Sequence, residues 1–141
     1  MQQSYLPLRI ILGLAAMLHI GIGLLGVIPS SPLSIVLVFY GGALQFSPQI
    51  GYLLQIFGAY MLTIGVLCVY GIWNPVKNRC AIHCIIFLLL FRGIQRIFSV
   101  GEANTVFGMV PDYYWIQTAL FLAVGIALLW LRPKAAESVK A

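Results

Sequence analysis

Residues 86–100 read IFLLLFRGIQRIFSV. Two arginines, Arg92 and Arg96, stand inside a run that is apolar from Phe91 back to Cys80 except for His83. A segment of this length and composition reads as a membrane-crossing helix, which needs roughly 20 apolar residues. How the chain tolerates two permanent charges there decides both its fold and its site.

The surroundings support the membrane reading. Of 141 residues, 62% are hydrophobic and 8% charged, against about a quarter charged in soluble domains. No soluble fold of this size has interior enough for so many apolar side chains. The net charge of +5 does not indicate nucleic acid, because Lys77, Arg79, Arg132, Lys134 and Lys140 sit at the ends of apolar runs. There they anchor topology rather than form a patch for a polyanion.

Three further segments are long enough to cross. The expectation is an all-α integral membrane four-helix bundle, a single domain with spans at about 6–28, 49–73, 80–99 and 113–131. The first span is too long for a signal-peptide core of about 7–15 residues, and no A-x-A pattern follows it. Between spans one and two lies SPLSIVLVFYGGALQFSPQ, residues 31–49. Its apolar part, 33–46, would rise only about 21 Å as a helix, so it reads as re-entrant or interfacial; the alternative, a fifth span, would put the two basic ends on opposite sides. Lys77 and Arg79 in the second turn, and three basic residues in the tail, put both termini in the cytoplasm, for a multi-pass protein of a plasma, inner or equivalent membrane. Tyr52, Tyr113, Tyr114 and Trp115 at the outer edge, and Trp73 and Trp130 at the inner one, fit interfacial belts.

In the third span Arg92, Gln95, Arg96 and Ser99 follow i, i+3, i+4, i+7 and make one stripe. Charge in the hydrocarbon core costs at least a few kcal/mol, so the stripe is expected to face inward. At about 1.5 Å per residue, His19, Tyr60, Gln117 and Thr118 fall near the same depth. Two readings stay open. In one, Arg96 snorkels to the outer surface, and the arginines pair with Glu102, Asp112 and loop carbonyls and clip the outer loop down. In the other, Arg92, Arg96, Gln95, His19, Tyr60 and Gln117 line a pocket for an anionic or carbonyl-bearing ligand, such as a lipid head group or a quinone.

The remaining chemistry-bearing residues point to less. His19 and His83 lie about 15 Å apart in depth, which disfavours a shared haem; one histidine holding a haem or pigment is a minor alternative. Cys80, His83 and Cys84 share a helix face, and Cys68 reaches a similar depth, but the spacing matches no common zinc pattern. The glycines of GIGLLG and FGAYMLTIG, with Gly58 and Gly65 on one face, mark close helix packing. No G-x-S-x-G, H-E-x-x-H, P-loop or carboxylate pair is present, so a non-catalytic protein is expected.

GLLGVIP closing the first helix, then a short apolar segment, YLLQIFGAYMLTIGVL, a brief basic turn and FRGIQRIF together resemble the DoxX-like superfamily over about residues 6–131. The closer likeness is to its small uncharacterised four-helix members, which include the protein encoded in biphenyl-degradation clusters. The resemblance implies a four-helix membrane bundle with an arginine in the third helix, corresponding to Arg92 or Arg96. It also implies an accessory role beside respiratory or oxidoreductase complexes. The function expected is thus an accessory subunit of a larger membrane complex, or a binder of a small anionic or lipid-like ligand. The alternatives are a redox- or quinone-linked component and a lipid-binding or transport protein.

Overall fold

The computed structural model describes residues 5–28, 47–107 and 110–134. Among them it has five helices and no strand: α1 (Leu6–Val27), α2 (Pro48–Trp73), α3 (Arg79–Phe98), α4 (Val100–Phe107) and α5 (Pro111–Leu131). All except α4 are long and apolar enough to cross a membrane. Among the described residues the chain is therefore an all-α membrane bundle with four spanning helices, in keeping with its apolar composition. The apolar segment 33–46 lies outside the described residues.

Local chemistry sets the helix ends. Pro7, Pro48 and Pro111 stand in the first turns of α1, α2 and α5, where a missing N–H costs nothing. Ser47 caps α2 by accepting from the Ile50 N–H at 3.3 Å. Asn74 and Pro75 end α2, and Asn78 Nδ2 reaches back to the Tyr70 carbonyl at 2.7 Å. α3 breaks for one residue at Ser99, and α4 then occupies part of the stretch read from sequence as a polar loop. Its polar composition hid it, although Glu102 in its first turn suits the helix dipole.

The antiparallel packing of α1 with α2, α2 with α3 and α3 with α5 places the start of α1 and the end of α5 on one side, called here the terminal side. The buried apolar core is Leu8, Leu12, Ala16, Cys68, Ile82, Ile85, Ile86, Leu89 and Leu128. Every one of these residues lies within about 15 Å of the terminal-side helix ends. There Gly71 of α2 admits Ile82 of α3 and Leu12 of α1, joining three helices.

Toward the far side the described helices form two pairs. In α1/α2 the backbones touch: a Cβ on Gly58 would lie 2.8 Å from the Gly26 carbonyl carbon and 2.9 Å from the Gly23 oxygen. Close approach of this kind holds membrane helices together where lipid supplies no hydrophobic drive. In α3/α5 the packing is reciprocal. Gly93 receives Leu122, and Gly125 receives Leu90.

Trp73 and Trp130 are exposed at the terminal side, and Tyr52, Tyr113 and Trp115 at the far side, as belts require. Tyr114 is the exception. It is buried, because it belongs to the α3/α5 seam.

Candidate functional site

Arg96 is only 3% exposed. The buried positions Ile82, Ile86, Leu89, Gly93 and Arg96 are spaced four, three, four and three, the coiled-coil rhythm of a helix seam. α5 answers with Tyr114, Thr118, Gly125 and Leu128. Arg96 is therefore a seam residue by position, and α5 meets it with oxygen atoms.

The guanidinium donates through Nε to Thr118 Oγ1 at 3.0 Å, and through Nη2 to Gln117 Oε1 at 3.0 Å and to the Tyr114 carbonyl at 3.2 Å. Its Cζ lies 3.9 Å over the Tyr114 ring, a cation–π stack in a desolvated setting. Tyr114 returns the bond, its hydroxyl donating to the Arg96 carbonyl at 2.7 Å. Thr118 Oγ1 donates to the Tyr114 carbonyl at 2.8 Å while accepting from Arg96. Arginine fits because its planar fork serves several acceptors at fixed angles.

Arg92 behaves differently, which corrects the single inward stripe. It precedes the seam glycine by one position, and both it and Gln95 are exposed on the helix flank. Arg92 Nη1 donates to Gln95 Oε1 at 2.8 Å along its own helix. Ser99 Oγ likewise donates to the Gln95 carbonyl at 3.1 Å. The expected polar layer loses Tyr60 too, which is 67% exposed. α2 turns Gly58 toward α1, and Tyr60, about 200° further round the helix, must point away. Glu102 and Asp112 are exposed, and among the described residues neither forms an ion pair with Arg92. The fastening found here runs from Arg96 to neutral oxygens of α5.

His19 and Gln117, from the same expected layer, do come together. They line a cleft of about 330 Å³ between α1 and α5. α1 contributes Ile11, Leu14, Ala15, Leu18 and Ile22, α3 contributes Leu89, and α5 contributes Leu120, Phe121 and Val124. The volume lies within the roughly 300–1,000 Å³ of ligand sites. From Ile11 to Ile22 the cleft runs about 16 Å along the bundle. His19 and Gln117 are the two polar side chains of this lining, and both stand in its far half. Nothing in the sequence announced the cleft, since it arises from helices α1 and α5 failing to close on each other.

The cysteines do not assemble. Cys68 is buried in the core, whereas Cys80 and Cys84 are exposed and all three are free. His83 is half-buried, near the terminal-side end of α3. Among the described residues no group of three or more His, Cys, Asp or Glu side chains converges on a metal position.

Fold and site together define a multi-pass integral membrane protein, with a buried arginine fastening two of its spanning helices, α3 and α5, and a lateral apolar cleft between α1 and α5. No protein-family model, curated protein or solved structure matches this chain.

Proposed function

We propose that this protein is a non-catalytic membrane binder of a lipid-like amphiphile, held in the α1/α5 cleft. The observation that carries this reading is the cleft itself: an elongated apolar trough with its two polar side chains gathered at one end. That distribution matches a molecule with a long tail and a small head. Arg96 does not line the trough, so the reading favours a lipid-like ligand over an anion gripped by arginine. The DoxX-like resemblance supports a small four-span bundle of accessory character. The basic residues of the terminal-side turn and tail support cytoplasmic termini.

Native mass spectrometry of protein extracted in mild detergent tests the proposal. The wild type is expected to retain an amphiphile. Leu18 and Leu120 stand exposed at the mouth of the cleft, and Leu18→Trp with Leu120→Trp should lower occupancy about tenfold or more, equivalent to about 1.4 kcal/mol. Equal ligand content in both proteins would remove the cleft from consideration.

A second reading, an accessory subunit of a larger complex, is favoured by Arg92 and Gln95. A guanidinium on the flank of a spanning helix is costly against acyl chains, and an acidic or carbonyl-rich partner helix would relieve it. Arg92→Leu is then expected to dissociate a partner that co-purifies with the wild type. If both versions run as the same isolated species, Arg92 is not a docking residue.

A further inference from the structure

His19 and Gln117 form the polar end of the α1/α5 cleft, and any selectivity of that end rests on the cleft being the amphiphile site. His19 is only 7% exposed, and its Nδ1 lies 2.7 Å from the Ala15 carbonyl oxygen one turn below. A carbonyl oxygen can only accept, so Nδ1 carries the proton in that contact. In the neutral ring this leaves Nε2 as a bare acceptor. Among the described residues no group donates to Nε2. A buried acceptor without a donor is destabilising, so the site is incomplete as the protein alone builds it.

We infer that the cleft selects an amphiphile whose head donates a hydrogen bond, a neutral hydroxyl, to His19 Nε2. The head sits beside Gln117, and the tail runs down the trough toward Ile11 and Val124. A quinone or ester head offers only acceptors and meets Nε2 lone pair to lone pair. A deprotonated carboxylate or phosphate meets it with the same mismatch plus a desolvation cost. A hydroxyl both gives and takes, which suits a pocket whose other polar side chain is an amide.

Matched probes separate these chemistries. 1-Tetradecanol, its methyl ether and sodium myristate share a similar tail and differ in the head: donor and acceptor, acceptor alone, and anion. Binding to the purified full chain in detergent, read by the shift of its thermal midpoint against probe concentration, should be about fivefold or more tighter for the alcohol than for the ether. Myristate should be weaker still. His19→Phe, which keeps the ring volume, should bring alcohol and ether together. The wild-type comparison decides the matter even if that variant fails to fold. Equal binding of alcohol and ether, sensitive to the Leu18→Trp and Leu120→Trp pair, overturns the donor rule and leaves the cleft reading standing. Tighter binding of myristate overturns it as well. Binding of no probe, in a protein that also retains no amphiphile, overturns both.

Discussion

Arg96→Leu is expected to lower the stability of the bundle by about 2 kcal/mol, while Arg92→Leu lowers it by no more than about 0.5 kcal/mol. The two residues are one turn apart on the same helix, and hydropathy gives them equal weight. Their surroundings do not. Arg96 makes three hydrogen bonds to α5 and stacks on Tyr114. Interhelical bonds in membranes average about 0.6 kcal/mol each, and a desolvated cation–π stack adds up to about 2 kcal/mol. The leucine variant no longer carries the desolvation cost of a buried guanidinium, which offsets part of that loss and holds the net near the stated figure. Arg92 bonds only within α3, where exposed pairs contribute a few tenths of a kcal/mol at most. Arg96→Lys should not rescue, since a single ammonium cannot serve Thr118, Gln117 and the Tyr114 carbonyl while lying flat on a ring. Unfolding of each variant in mixed micelles, followed by circular dichroism, gives the comparison. Equal losses for the two leucine variants would show that Arg96 does not fasten α3 to α5.

At the other helix pair a comparable loss is expected from one added methyl group, and a larger one from a bulkier side chain. Gly58→Ala should cost about 1–3 kcal/mol, and Gly58→Leu more than the upper end of that range. The added Cβ would lie 2.8 Å from both the Gly26 carbonyl carbon and the Val27 nitrogen. These are backbone atoms of a continuous helix and cannot swing aside as a leucine tip can. The helices must separate instead, and Gly23 against Leu62 and Gly65 against Ile20 then lose contact along with them. Gly21 and Gly51 are internal controls. Nothing lies within 4 Å of a Cβ built on either, so alanine there should be neutral or slightly stabilising through its better helix propensity. The same unfolding measurement checks all four variants. A Gly58→Ala protein as stable as Gly21→Ala would mean that α1 and α2 do not approach this closely.

Some of this is legible in the residues and some is not. The four spans follow from run length and composition, because a bilayer accepts a buried backbone only as helix or closed barrel. The glycine faces follow from spacing, since only small residues let backbones meet. The arginine stripe misleads because helical periodicity fixes which side chains lie near each other, not which of them faces a neighbour. Arg92 and Arg96 are only about 40° apart around the helix. Gly93, seated on the α5 seam, turns one inward and leaves the other on the flank. A seam drawn through Ile82, Ile86, Leu89 and Gly93 points to Arg96 alone.

Tyr60 departs from the expected layer for the same reason. Depth along the helix is readable from residue count, but the Gly58 contact sets the direction of the side chain. α4 escapes a reading by composition because eight residues with a polar face resemble a loop until α3 and α5 hold them at both ends.

The sequence by itself determined the environment, the four long apolar helices and the places where helices can touch, since each depends on transfer from water and on side-chain size. Tertiary structure alone decided which arginine is buried, and that α1 and α5 leave a trough between them. Those outcomes depend on how whole helices rotate and tilt against one another, and no single stretch of chain contains that information.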